Sequence, residues 1–279
     1  ASPSRSARKE ARLHHWKIEP GELEWEIGRE LGRGAFGSVF KVYYNDQPYA
    51  AKKMDVGVGA RERPEVVDLL TTEFSSLHAI IHPNVVRVLG VILDEPTYLA
   101  MVMELADLGS LRQMLDDDGE RIRSQPALQL SIAHDICAGM AHLHAKKPKP
   151  IMHNDLKSAN ILLCSSGGTS QHLVAKISDF GIASGLEMTR FGESKSATRA
   201  KGGGTFAYRA PETFSNDNEL ASEVYAFGII SWELLTLSRP WFRDESGKRY
   251  NEGAVMKKVV IDEERPPLPP ELKVGSRRV

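Results

Sequence analysis

The sequence predicts an α+β protein in two parts, strand-rich with a single helix over its first third and mainly helical beyond. Three observations predict this. Residues 39–44 are β-branched or aromatic but for one lysine, and they alternate, with Val39, Lys41 and Tyr43 on one face and Phe40, Val42 and Tyr44 on the other. Leu128, Ile132, Ile136, Met140 and Leu143 recur at the spacing of an amphipathic helix. Residues 224–237 are apolar nearly all round, the composition of a buried helix.

Taken in order, residues 1–20 read as a basic flexible tail, with Arg5, Arg8, Lys9 and Arg12 set among small residues without apolar period. A β-meander follows from Glu24 to about Lys53, its last turn supplied by Asn45-Asp46-Gln47-Pro48 ahead of Tyr49-Ala50-Ala51-Lys52. Residues 64–80 read as a helix that opens on Pro64-Glu65 and repeats Val66, Val67, Leu70, Phe74 and Leu77. Residues 85–93 and 97–104 return to strand patterns, divided by the turn Asp94-Glu95-Pro96. The character changes near Glu104 to Ala106. This sets a strand-rich part over 21–105 and a helix-rich part over 106–279.

Composition excludes several function classes. The chain has 279 residues, with Lys+Arg 36 against Asp+Glu 37 and a net charge of −1, so its overall charge offers nothing to nucleic acid or to an anionic membrane. The apolar stretch 225–237 contains Glu233 and is shorter than the roughly 20 residues that span a bilayer. Cys137 and Cys164 form neither a zinc pattern nor a disulfide framework, which fits a reducing, cytoplasmic setting. His142 and His144 stand two apart on a helix and point to different faces, so they share no metal. Asp116-Asp117-Asp118-Gly119 reads as a solvated helix end.

The run Gly32-Arg33-Gly34-Ala35-Phe36-Gly37 fits G-x-G-x-x-G, a weak signal alone. A dinucleotide fold needs a helix at the third glycine, whereas residues 38–44 read as a strand. A phosphate loop of the Walker type needs lysine after the last glycine, where Ser38 stands. A glycine hairpin with no ligand is as good a reading of these residues taken alone.

Further motifs follow in order: Ala50-Ala51-Lys52, Glu73, His82-Pro83-Asn84, residues 153–160 as His-Asn-Asp-Leu-Lys-Ser-Ala-Asn, Asp179-Phe180-Gly181, and Ala210-Pro211-Glu212. Together with the glycine run they resemble a eukaryotic protein kinase domain from about Ile27 to Pro270. Lys157 and Thr205 resemble the serine/threonine type. Leu23-Glu24-Trp25-Glu26-Ile27 and Trp232-Glu233-Leu234-Leu235-Thr236 resemble its tyrosine-kinase-like group. The resemblance implies a two-lobed kinase fold, ATP and Mg²⁺ as cofactors, and protein substrates with Ser/Thr acceptors.

It also implies roles. Asp155 would accept the hydroxyl proton and Lys157 would steady the γ-phosphate, while Lys52 would hold the α/β-phosphates, oriented by Glu73. Asn160 and Asp179 would hold the metal through oxygen, as a hard cation requires. Gly32, Gly34 and Gly37 would let backbone N–H groups approach phosphate. Adenine would lie between Leu31, Val39 and Ala50 on one side and Leu162 on the other, with Met103 at the back of the pocket and backbone bonds from Glu104 and Ala106. Leu77, Val88, His153 and Phe180 match the family's hydrophobic stack, which makes His153 structural rather than catalytic.

The chain departs from the family pattern in three places. Asn154 replaces the arginine that a phosphate in the activation segment neutralises, so activity is expected to survive dephosphorylation of Thr189, Ser194, Ser196 and Thr198. Glu223 replaces an aspartate that anchors the catalytic loop, and Glu223→Asp is expected to keep or raise activity. Residues 262–270 resemble the loop before the family's last helices, so the helix-rich part is expected to lack them, to expose apolar surface and to leave Glu212 without its usual arginine. The alternatives are a pseudokinase that acts as a scaffold or allosteric partner, and a small-molecule kinase. The peptide-platform motifs His82-Pro83-Asn84 and Ala210-Pro211-Glu212 count against the second.

Overall fold

The structure is a computed structural model and describes residues 16–34, 37–55, 74, 77–93, 98–166, 172–179, 205–215, 220–244 and 247–269. The chain divides into two units, Ala1–Asp107 with Gly181–Arg199, and Leu108–Phe180 with Ala200–Val279.

The first unit is built on an antiparallel sheet of order β1-β2-β3-β5-β4. Its strands are β1 (Leu23–Gly34), β2 (Gly37–Tyr44), β3 (Gln47–Asp55), β4 (Val88–Ile92) and β5 (Tyr98–Glu104). The β2–β3 turn is tighter than the four residues expected. Asn45 and Asp46 both take positive φ, 50° and 60°, and form a two-residue hairpin loop whose twist matches its strands. The ladder therefore resumes at Gln47, and Pro48 sits inside it opposite Tyr43. Alternation sends Val42, Ala51, Ala100 and Val102 to one face, where they form a core with Ile18, Leu23 and Ile92. Trp25 closes this face with edge contacts to Phe40 at 5.8 Å and Tyr98 at 6.1 Å.

The flexible tail expected over residues 1–20 does not persist to its end. From Trp16 the chain is ordered, Lys17 pairs in parallel with Val91, and Trp16 and Ile18 are buried. Burying an indole and an isoleucine outweighs the local polarity that suggested a tail. Of the helix expected over 64–80, Phe74, Leu77 and His78 have helical backbone, and Phe74 and Leu77 are buried. The rest of it up to Glu73, Glu73 included, lies outside the described residues.

The second unit carries α1 (Leu111–Asp117), α2 (Gly119–Arg123), α3 (Pro126–His144), the hairpin β6 (Ile161–Ser166) and β7 (His172–Ile177), α4 (Leu220–Thr236) and α5 (Glu252–Met256). Ser110 caps α1 by accepting the Gln113 N–H, and Pro126 opens α3 where no N–H is needed. The apolar stripe of α3 is buried at Ile132, Ile136, Met140 and Leu143. α4 differs from the fully buried helix expected. Val224 and Leu235 are exposed by 62% and 51%, whereas Ser222, Glu223 and Glu233 are buried beside Ala226, Ile229, Ile230 and Leu234. Its inner face is chosen for polar work as well as packing.

Candidate active site

In the first unit, strand register brings the predicted residues onto one face. Val39 lies opposite Lys52, Lys52 opposite Met101, and Ala50 opposite Met103. Directly paired residues share a face, so Val39, Ala50, Lys52 and Met103 line the side of the sheet away from the Val42–Ala51–Val102 core. Lys52 is only 4% exposed, on the same face as Ala50, Met101 and Met103.

The glycines at the end of β1 and the start of β2 serve two purposes. Gly37 has φ 140°, and a Cβ there would stand 1.9 Å from the Lys53 carbonyl oxygen, so the hairpin itself demands glycine. At Gly32 a Cβ would meet no atom of the described residues within 4 Å. The packing of the described residues does not need that glycine; a ligand approaching the backbone would. Gly34 pairs with Gly37 at the mouth of the hairpin, and Leu31 stands exposed beside it. At the far end of β5 the Glu104 N–H is committed to the Arg87 carbonyl at 3.0 Å, and its carboxylate accepts the Arg87 N–H at 2.7 Å. A backbone bond from Glu104 to a ligand would therefore come from its carbonyl. Ala106 follows in irregular chain.

The second unit holds the catalytic loop. Lys157 Nζ lies 2.5 Å from Asp155 Oδ2. Asn160 Nδ2 donates to the Asp155 carbonyl at 2.8 Å and to its Oδ2 at 3.1 Å. With its amide nitrogen so used, Asn160 keeps Oδ1 as its side-chain acceptor. Asp155, Lys157 and Asn160 thus form one hydrogen-bonded group, and Leu162 follows on β6 opposite Lys176. Asp179 comes in from β7. Ser178 N–H and Oγ both donate to the Asn160 carbonyl, at 2.9 and 3.0 Å, which sets Asp179 beside the loop with φ 59°. Phe180 and Gly181 lie outside the described residues, as do Thr189, Ser194, Ser196 and Thr198.

Buried polar groups hold this irregular loop. His153 Nε2 donates to the Ser178 carbonyl at 2.8 Å while Nδ1 accepts the Asp155 N–H at 3.3 Å, which defines one neutral tautomer. Burial pushes its pKa down, in keeping with a structural neutral ring. Glu223 Oε1 accepts the N–H groups of His153 at 2.5 Å and Asn154 at 2.8 Å, and Oε2 takes His144 Nε2 at 2.6 Å. Three donors on one carboxylate use its full length, so Glu223→Asp is now expected to lose bonds rather than to be harmless. Asn154 takes φ 63°, a left-handed conformation that asparagine accepts more readily than most residues. Glu212, expected to lack its usual arginine, accepts the Ser222 hydroxyl at 2.9 Å.

One group was missed by sequence reasoning. Glu233, fully buried at 0% exposure, meets Arg112 NH1 at 2.5 Å and the Tyr208 hydroxyl at 2.8 Å, and Tyr208 OH lies 3.0 Å from Ser158 Oγ. Arg112 also reaches Asp116, which Arg239 holds from the other side. Burial raises the pKa of Glu233 against the pull of Arg112, and it raises that of Tyr208 beside the Glu233 charge. The network ties the catalytic loop to α1, to α4 and to the segment before Ala210. Its one signal in the sequence is an acid inside the apolar run of α4.

The residues fit the implied cofactors. Asn160 and Asp179 offer hard oxygen donors of the kind Mg²⁺ prefers, two protein ligands being enough where phosphate and water complete the shell. Among the described residues no group of three or more His, Cys, Asp or Glu could hold a transition metal. The open space at Gly32 leaves backbone accessible to phosphate.

These arrangements agree with what the chain is similar to. Residues 25–274 match the protein kinase domain family, and the chain belongs to it. It is 35% identical over 225 residues to the serine/threonine-protein kinase CTR1 of Arabidopsis thaliana, covering 79% of this chain and 25% of that protein. It is 34% identical over 230 residues to mitogen-activated protein kinase kinase kinase 11 of Rattus norvegicus, covering 78% and 24%. Over 231 residues it is 30% identical to the serine/threonine-protein kinase VIK of Arabidopsis thaliana, covering 82% and 50%. The chain thus matches half or less of the length of these relatives.

Proposed function

We propose that this chain is a catalytically competent serine/threonine protein kinase domain that uses ATP and Mg²⁺. The observation that carries the reading is the bonded group Asp155–Lys157–Asn160, with Asp179 fixed to it through Ser178. Asp155 accepts the proton of a substrate Ser or Thr hydroxyl as its oxygen bonds to the γ-phosphorus, and the bond to the β–γ bridging oxygen breaks to release ADP. Lys157 places a positive charge beside the same carboxylate, available to the transferred phosphoryl group. Asn160 and Asp179 hold the metal, which when bound neutralises triphosphate charge. On the first unit Lys52, oriented by Glu73, holds the α/β-phosphates over the glycine run of Gly32, Gly34 and Gly37. In the first unit Leu31, Val39, Ala50 and Met103 offer an apolar face to the base, and Glu104 and Ala106 bond its edge; in the second unit Leu162 offers the base an apolar side chain.

The pseudokinase alternative rested in part on Asn154 and Glu223. Against it, Asn154 takes a left-handed turn that asparagine accepts and Glu223 holds three donors. The setting is intracellular signalling, and Cys137 and Cys164 form no disulfide with each other. Among the described residues no helix is long and apolar enough to cross a membrane.

The test is transfer of labelled γ-phosphate from ATP to a generic protein substrate, followed by identification of the phosphorylated amino acid. Phosphoserine and phosphothreonine are expected, with Asp155→Asn reducing the rate by roughly 10²-fold or more. A chain that binds nucleotide but transfers nothing, or an Asp155→Asn variant as active as the parent, overturns the reading.

A further inference from the structure

The family match begins at residue 25, yet the sheet begins earlier in the chain. The Val91 N–H donates to the Trp16 carbonyl and the Ile18 N–H to the Val91 carbonyl, both at 2.9 Å, so residues 16–18 add a short parallel strand to the outer edge of β4. The approach is close enough to dictate sequence on β4. A Cβ on Gly90 would lie 2.4 Å from the Trp16 carbonyl oxygen and 2.8 Å from Ile18 Cδ1. Ile18 enters the core on one side. Trp16, 6% exposed, meets the fully buried Phe74 edge to face, with ring centroids 6.4 Å apart and planes at 62°.

Phe74 is the residue after Glu73, the expected partner of Lys52. His78 Nδ1 lies 3.2 Å from the Val88 carbonyl, and the Ile80 N–H closes on Leu77 at 3.1 Å. Phe74 and His78 are thus each tied to β4, His78 directly and Phe74 by Trp16 through the strand it belongs to. We infer that Trp16 is a positioning residue: the strand of residues 16–18 clamps Phe74 to the edge of β4 and through it acts on Glu73, its neighbour in the chain.

The inference is selective because Gly90 and Trp16 belong to one device. Gly90→Ala leaves the indole intact and blocks the strand that carries it, whereas Trp16→Ala leaves the strand and removes the ring. If the clamp acts as a unit, each should produce the same defect and the double variant should add little. A tryptophan that merely fills space would give independent, additive losses.

As a positioning role it rests on the kinase reading above, so the experiment has an arm that does not need activity. In the full chain, amide hydrogen exchange over residues 74–80 should quicken in both Trp16→Ala and Gly90→Ala and stay at the parent level in Asp155→Asn, with exchange over 153–160 unchanged throughout. In the kinase assay both variants should lose about tenfold in kcat/KM, corresponding to ~1.4 kcal/mol. Trp16→Phe, which keeps a ring against Phe74, should recover most of it. Unchanged exchange over 74–80 in either variant overturns the clamp whatever the assay shows. Normal kcat/KM with quickened exchange overturns its link to Glu73. If the parent transfers no phosphate, the kinase reading fails and the exchange result still decides the clamp.

Discussion

The two units hold their functional residues by different means. In the first, Lys52, Val39, Ala50 and Met103 are placed by strand register, and each is where it is because the next residue along its strand faces the opposite side, where the core lies. In the second, Asp155, Lys157 and Asn160 sit in irregular chain with no ladder beneath them. They are placed by buried polar atoms: Glu223 beneath the loop, His153 across to Ser178, and Ser158 through Tyr208 to Glu233. A register is redundant, since many hydrogen bonds must slip together before a residue moves. A loop hung on one carboxylate is not. The two halves should therefore fail differently, the first to backbone crowding and the second to the loss of single polar groups and to protons.

The largest effect expected is at Glu223. Glu223→Ala removes the acceptor for two buried N–H groups and for His144, and stability should fall by about 3–5 kcal/mol, with activity lost alongside. Glu223→Asp shortens the arm by about 1.5 Å and cannot keep all three donors at their present 2.5–2.8 Å. It should lower both the denaturation midpoint and the rate, by less than alanine does. Denaturant unfolding of the three chains gives the ranking. An aspartate variant equal to the parent would show that the loop has slack and would remove the contrast between the units.

Next in size is Gly37→Ala in the first unit. With φ 140° and the Lys53 oxygen 1.9 Å from the new Cβ, the β2 end of the hairpin must shift, at a strain of about 1–3 kcal/mol. Because the rest of the ladder stays paired, the defect should be local: a raised KM for ATP with a smaller change in the melting temperature. Gly32→Ala, where the added methyl meets no atom of the described residues, should leave stability unchanged and affect only nucleotide binding. A nucleotide-binding assay beside a thermal melt separates the two.

The same difference explains how much was legible in the sequence. Strands β1 to β3 follow from period-2 alternation, and the apolar stripe of α3 from period 3.6, because local pattern and burial agree there. The turn after Tyr44 was drawn too long because Pro48 was counted as a turn residue, although an antiparallel ladder takes proline where its N–H is not needed. Trp16 was read as tail because its partners Val91 and Phe74 are far along the chain. The bonded group of Asp155, Lys157 and Asn160 was legible only as a motif. No periodicity marks it, and what secures it is non-local: Arg112 and Glu233 are separated by 121 positions, and Asn154 and Glu223 by 69.

The smallest effect expected concerns protons and belongs to the second unit alone. His153 is buried and neutral, with its pKa held below the ordinary histidine value by desolvation, opposed in part by the nearby charges of Glu223, Asp155 and Asp179. The unfolded chain protonates this ring near pH 6.5, while the folded chain resists until lower pH. Between those two values the unfolded state binds more protons, so the contribution of His153 is fully present above about pH 6.5 and declines as pH falls through the window. Denaturation midpoints measured from pH 7.5 down to 5.5 should therefore drop, and the drop should be shallower in His153→Asn, which has no proton to take up in the unfolded state. Among its described residues the first unit has no histidine buried as His153 is. Its local stability, read from the exchange of β2 and β3 amides, should be flat over the same range. Equal pH slopes in the parent and in His153→Asn would mean that the proton is taken up elsewhere than at His153.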